Sequence, residues 1–188
     1  HPQHRRQRQM CIRDSYDLCP HDLALIAALT GMAEPDQVAC QAICHVTAGV
    51  DDIISAQLSF GEGVTATLEA NWYNPVKIHQ LTVIGSEAAL IFDDTRPWPE
   101  KLMRHAFRAG HEDGMVTLER GEAEVIPVPE GEPLREEMAN FADAVAGQTE
   151  PLTGIDEALY VQRIMARMQD AIDQSKLSQT KMPQTRML

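Results

Sequence analysis

The apolar positions of this chain change rhythm along its length. The string Asp17-Leu18-Cys19-Pro20-His21-Asp22 is followed at once by Leu23, Leu25, Ile26 and Leu29, which reads as a helix opening near Tyr16 or Asp17. Pro20 then falls in the first turn, where backbone N–H groups have no internal partner and a missing donor costs little. Gly31 supplies the C-cap. After the turn Glu34-Pro35-Asp36, the residues Val38, Cys40, Ala42, Cys44 and Val46 alternate with Gln41, His45 and Thr47, a period of two that predicts a strand. Gly49-Val50-Asp51-Asp52 breaks it. Ile53 to Phe60 reads as a second strand and Gly61-Glu62-Gly63 as a hairpin turn, with glycines where positive φ costs little. Val64, Ala66, Leu68, Ala70 and Trp72 then line one face of a third strand, so this sheet has one drier face.

Beyond the break at Asn74-Pro75, Ile78 to Ile84 and Ala88 to Phe92 read as two further strands around Gly85-Ser86. Short strands are expected around Lys101 to Phe107, Met115 to Leu118 and Glu124 to Val128, with His111-Glu112-Asp113-Gly114 as a solvated turn. Pro133 opens a helix whose stripe Leu134, Met138, Phe141 and Val145 ends at Gly147 and has to pack on something. Thr153-x-x-Asp156 has the form of a capping box, and Ala158, Val161, Met165, Met168 and Ile172 form the stripe of a longer helix in which methionine fills core space. The sum is an α+β fold: an open, mostly antiparallel β-sheet with helices packed on one face. Residues 16–175 form this domain, 176–188 a polar tail expected to fray, and 1–15 a leader without apolar periodicity.

Composition narrows the function classes. The chain has 188 residues, enough for a sizeable core, with 44% hydrophobic and 23% charged residues. Its net charge of -12 argues against a nucleic-acid partner, whose phosphates this field repels. The leader is the exception: Arg5, Arg6, Arg8 and Arg13 stand against Asp14 alone, in a string that looks non-native or disordered. A basic nucleic-acid arm is the competing reading, and nothing else in the chain supports it. No apolar run approaches a membrane span and no secretory signal pattern is present, so the default expectation is a cytoplasmic protein without a membrane partner. The cysteines Cys11, Cys19, Cys40 and Cys44 form no C-x-x-C pair, and Cys40 and Cys44 would share one strand face with His45 on the other. Small buried hydrophobes fit that pattern better than a metal site.

One pair of residues has a spacing that chemistry can use. On a helix, Asp17 and His21 are four residues apart on one face, close enough for a carboxylate to orient an imidazole and stabilise its charged form. Such a histidine can serve as a general acid/base. The same spacing also describes an ordinary ion pair at a helix start, and spacing alone does not choose between them.

The order of segments narrows the choice. They are the Asp17-Leu18-x-Pro20-His21-Asp22 helix, Asp52 to Phe60 with Gly61-x-Gly63-Val64, Trp72-x-x-Pro75-x-Lys77, Leu81-Thr82-Val83-Ile84-Gly85 with Asp93-Asp94, Pro133-Leu134-x-x-Glu137, and Pro151-Leu152-Thr153. Together, over roughly residues 16–175, this set resembles the C-terminal domain of the Gfo/Idh/MocA oxidoreductases, the family of glucose-fructose oxidoreductase and inositol 2-dehydrogenase. The resemblance implies an enzyme that oxidises a CH-OH group, whose N-terminal Rossmann domain binds NAD or NADP and whose C-terminal domain bears the substrate and builds oligomers. No G-x-G-x-x-G follows a strand here, and Pro99-Glu100-Lys101 has the letters of the family's Glu-Lys-Pro in another order. The expectation is therefore a truncated dehydrogenase, inactive alone, with its cofactor held mainly by the missing domain. By the same resemblance His21 is the general acid/base and Asp17 the carboxylate that supports it, acting on a sugar, nucleotide-sugar or polyol. Ala24 stands where many relatives have an acid. Lys77 and Trp72 are implied near the substrate or a subunit interface, although Lys77 also reads as a surface residue and Trp72 as a core anchor. A homo-oligomer through the sheet face is expected. The alternative is a standalone non-catalytic module for dimerisation or carbohydrate binding.

Overall fold

A computed structural model describes residues 14–46, 50–72, 74–112 and 114–180. It is α+β, as expected, with antiparallel strands and three helices. The strands, however, divide into a three-stranded and a four-stranded sheet. They lie in two compact units, His1–Asn74 with Leu152–Leu188, and Pro75–Pro151.

In the first unit, α1 (Asp14–Thr30), β1 (Gln37–Ile43), β2 (Ile53–Ser59) and β3 (Thr65–Asn71) are closed by a long C-terminal helix. Helix α1 begins two to three residues earlier than its sequence suggests, which moves Pro20 from the first turn into the interior. An interior proline removes one backbone hydrogen bond, at about 3 kcal/mol. The helix persists because its inner face is anchored: Cys19, Leu23, Ile26 and Ala27, spaced four, three and one, are all buried. At its end Gly31 adopts φ +62, and the Met32 N–H donates to the Ala27 carbonyl at 2.8 Å, a Schellman closure.

Strand β2 is central and antiparallel to both neighbours. Its register sets Val38, Leu58 and Ala66 side by side, then Cys40, Ala56 and Leu68, then Ala42, Ile54 and Ala70. Those rows hold the sheet's buried positions and form the core with the two helices. The intervening rows, Ala39-Gln57-Thr67 and Gln41-Ser55-Glu69, are exposed. The face left uncovered is thus largely polar. Gly63 takes positive φ in the β2–β3 connection as expected, but its partner there is Glu62 at φ 60, not Gly61.

The last helix runs Ile155–Thr180, past the point at which the polar tail was expected; residues 181–188 lie outside the described residues. It packs on β1 and α1 through Tyr160, Val161, Ile164, Met165, Met168 and Ile172. Gly154, not Thr153, precedes its first residue. Its polar side holds the α1–β1 connection. The Tyr160 hydroxyl donates to the Ala33 carbonyl at 2.7 Å, Arg163 donates twice to Glu34 Oε1 at 3.0 and 2.9 Å, and Arg167 reaches the Pro35 carbonyl at 2.7 Å.

The second unit contains β4 (Gln80–Ile84), β5 (Ala88–Asp93), β6 (Leu102–Glu112) and β7 (Met115–Val125), antiparallel in that order, then α2 (Pro133–Val145), so that the last helix is α3. The two short strands expected after residue 115 are one strand, whose pairing with β6 shifts register between His105 and Phe107. His111 and Glu112, expected in a turn, belong to β6 and pair with Val116 and Met115; Gly114 precedes β7 at φ +79, and Asp113 lies outside the described residues. The larger departure concerns burial. No described residue of this unit is buried. The α2 stripe was expected to pack, yet Leu134, Met138, Phe141 and Val145 are 58% to 74% exposed. Amphipathicity gives the helix an apolar side, and among the described residues of this unit that side stays exposed.

Candidate functional site

His21 projects from α1 into solvent. The 100° advance per residue explains why: it places Cys19, Leu23, Ile26 and Ala27 toward the sheet and His21 well away from them. Leu18, Leu25 and Leu29 occupy the intervening arc and are 40%, 43% and 57% exposed. The histidine therefore stands beside an uncovered apolar strip on a helix whose other side is fixed in the core. Asp17 is on the same helix, one turn before it; its side chain lies outside what is described.

Trp72 has a different employment. Asp52 is 1% exposed, and its Oδ2 accepts from the backbone N–H groups of His45 and Val46, the latter at 2.7 Å. The Val46 N–H, then the His45 N–H and the Trp72 indole, hold the Asp52 carboxyl below its usual range against the upward push of burial. The Asp52 N–H meanwhile donates to the Ile43 carbonyl at 2.8 Å. This carboxylate ties the end of β1 to the start of β2. Asp51 beside it accepts from Cys44 Sγ at 3.2 Å and Lys176 Nζ at 3.1 Å, joining α3 to the same connection. Sequence reasoning saw only a turn there, since adjacent aspartates before a strand are ordinary loop composition.

Lys77 lies in the other unit, where its Nζ pairs with Asp94 Oδ2 at 3.3 Å. The structure thus engages Trp72 and Lys77 in separate local networks. Burial raises the Cys19 thiol to about 12 and the Cys40 thiol to about 11, which leaves both protonated and unreactive at neutral pH. Among the described residues, no group of three or more His, Cys, Asp or Glu side chains is placed to hold a metal, and no helix is long and apolar enough to cross a membrane. Nor do the described residues offer a dinucleotide site. The one Gly-x-Gly, Gly61–Gly63, joins two antiparallel strands instead of leading from a strand into a helix.

Comparison with known proteins agrees with this architecture. Residues 7–91 match the family model described as the GFO/IDH/MocA C-terminal domain. No curated protein matches. Among solved structures, the chain is similar to the UDP-N-acetylglucosamine 3-dehydrogenase GnnA from Acidithiobacillus ferrooxidans, with a TM-score of 0.70 at 20% identity over 88% of this chain and 49% of that one. It is also similar to an NAD-binding protein from Listeria innocua, with a TM-score of 0.61 at 20% identity over 87% of this chain and 46% of that one. At such identities the likeness is one of fold, and the chain spans about half the length of these relatives. The sequence likeness to the GFO/IDH/MocA C-terminal domain thus spans residues 7–91, and over the rest of the chain the likeness is one of fold.

Proposed function

We propose that this chain is the substrate-binding and catalytic-histidine part of an NAD(P)-dependent dehydrogenase acting on a CH-OH group of a sugar, nucleotide-sugar or polyol. The observation that carries the reading is the position of His21, exposed beside the apolar strip Leu18, Leu25 and Leu29 on a helix anchored by its opposite face. A general base needs a fixed backbone and an approachable ring. An apolar border that a further domain covers would exclude water from the reacting hydroxyl. His21 takes the proton of that hydroxyl, and Asp17, one turn earlier, orients the imidazole. The proton step is assigned to His21 and Asp17 alone; Lys77 pairs with Asp94 at 3.3 Å and Trp72 lies beside Asp52. Gly61–Gly63 does not lead from a strand into a helix, so only the proton step is drawn from this chain. The solved relatives, twice as long, give room for a cofactor domain, and one of them is described as NAD-binding.

The test is a fusion of this chain to the cofactor domain of a solved relative, assayed for sugar-dependent reduction of NAD or NADP. His21→Ala should lower kcat by about 10²- to 10⁴-fold, the usual worth of a general base. Turnover that His21→Ala leaves unchanged would remove the assignment.

The same proposal includes self-association. The four-stranded sheet buries no residue, and Ile84, Met115, Val116 and Leu118 are 49% to 75% exposed. Antiparallel sheets of this size need an apolar face packed against something. A second copy supplies it, and sedimentation at micromolar protein should show a dimer or larger species. A monodisperse monomer would refute the assembly. It would also remove the chief support for the alternative, a standalone dimerisation module.

A further inference from the structure

The opening end of β4, the closing end of β5 and the opening end of β6 meet at one end of the four-stranded sheet. There the Asp93 N–H donates to the Lys101 carbonyl at 2.8 Å and the Asp94 N–H to the His79 carbonyl at 3.0 Å. These backbone bonds fix where four side chains converge. Asp94 Oδ1 receives Lys101 Nζ at 2.6 Å, while Oδ2 receives both Lys77 Nζ at 3.3 Å and His79 Nδ1 at 3.3 Å. One carboxylate thus serves three nitrogen bases, and those contacts, Lys101 foremost, hold it well below the ordinary carboxylate range.

Charge is left over after this sharing. Lys77 and Lys101 bring two positive charges against the one negative charge of Asp94. The neighbouring Asp93 does not make up the difference, because it accepts from the Thr95 N–H and hydroxyl at 2.9 and 2.6 Å and pairs with Arg96 at 3.6 Å. Glu100, adjacent to Lys101 in the chain, makes none of these contacts. A local positive surplus is out of character for a chain of net charge -12. It is also held in place: the Lys101 side chain is only 14% exposed, with Nζ 4.6 Å from the centroid of the Trp98 ring, while the Lys77 side chain is 72% exposed and open to solvent. An ammonium offers three donors, so each lysine retains donor capacity after its bond to Asp94.

We propose that this end of the sheet is a binding site for a phosphate-type oxyanion of a small molecule, held by Lys77 and Lys101, with Asp94 keeping the two cations in place and itself steadied by His79. A tetrahedral oxyanion can take donors from several directions at once, which suits bases that already converge on one point. Lys101, restrained by Asp94 and Trp98, supplies a partly buried charge, and Lys77 supplies a second one from the solvent side. The inference does not depend on the role given to His21, which lies in the other unit.

The test is a titration of the full chain with inorganic pyrophosphate, followed by backbone amide shifts in two-dimensional NMR. Saturable shifts confined to the segments around residues 77–79 and 93–101 are expected. Lys77→Met should weaken binding by about tenfold, the worth of one hydrogen bond between charged groups. Lys101→Met should weaken it at least as much, but it also removes the neighbour of Trp98, so the exposed Lys77 is the variant that keeps the test decisive if the sheet end loosens. No saturable shift in the wild type, or an affinity indifferent to Lys77→Met, would overturn the proposal. So would a glutamate-rich peptide that displaces pyrophosphate at lower concentration than pyrophosphate itself requires, because the site would then belong to an acidic protein partner.

Discussion

Leu58→Ala is the perturbation that most directly tests how this fold is held together. Leu58 is fully buried on the central strand, with Val38 and Ala66 as its cross-strand neighbours. The substitution deletes three carbons, worth about 2.4 kcal/mol at about 0.8 kcal/mol per buried methylene. A cavity term is added, because Ala66 and Ala56 are too small to move into the gap and β2 is bonded on both edges. The expected cost is about 3 to 4 kcal/mol, a large share of the 5 to 15 kcal/mol typical of a domain. Leu134→Ala on α2 is the matched control. The same three carbons are removed where the side chain is 66% exposed, so the cost should stay within about 0.5 kcal/mol. Urea unfolding followed by circular dichroism, with m held common, measures both. A Leu58→Ala cost below about 1 kcal/mol would show that the three-stranded sheet does not carry the core. A Leu134→Ala cost approaching that of Leu58→Ala would show the α2 stripe to be covered in solution.

Alkylation of the native protein should label Cys44, which is exposed, and spare Cys19 and Cys40 until urea unfolds the chain; mass spectrometry of the digested protein distinguishes them. Labelling of Cys19 at the rate of Cys44 would contradict the packing of α1. Acid should remove a contribution that Asp52 makes at neutral pH. Its folded-state pKa is lowered, so the stabilisation is fully present above the unfolded value of about 4 and is lost as pH falls through the folded value. Urea midpoints of wild type and Asp52→Asn should therefore converge on acidification, and a gap that persists unchanged at low pH would refute the tie.

The elements written in one-sided alternation or helical period were legible, and the departures have identifiable physical causes. Strands β2 and β3, the α3 stripe and β1 as far as Ile43 are legible because one face of each is buried, which is what makes a period visible, whereas Cys44 and Val46, expected to continue β1, lie beyond it and are exposed. Strand β7 was split because Glu119-Arg120-Gly121-Glu122 lacks apolar alternation. Most of that strand is exposed, and backbone pairing with β6, not burial, holds it. The division into two sheets was invisible, since alternation says that a segment is a strand and not which strand it pairs with. His21 and Asp17 were singled out by residue type and spacing. Asp94 was not, because its partners come from positions 77, 79 and 101, separated in sequence and joined only by the strand ends.

The two units differ in what holds them. The first carries every buried apolar side chain among the described residues, and α1, α3 and the three-stranded sheet close upon it. The second has ladder hydrogen bonds and charged contacts but no such core. Backbone hydrogen bonds contribute about 0.5 to 1.5 kcal/mol each in net terms, and exposed ion pairs less, while ordering a residue's backbone costs about 1 to 2 kcal/mol. Apolar burial has to supply the difference. Within residues 75–151 the described residues supply no such burial, and their exposed apolar side chains, from Ile84 on β4 to Phe141 and Val145 on α2, are the material for it. The uncovered strip beside His21 poses the same requirement within the first unit. Under the proposed role of His21, the exposed strip beside it and the coreless sheet would share one consequence: cover from further protein would stabilise the second unit and exclude water from the histidine.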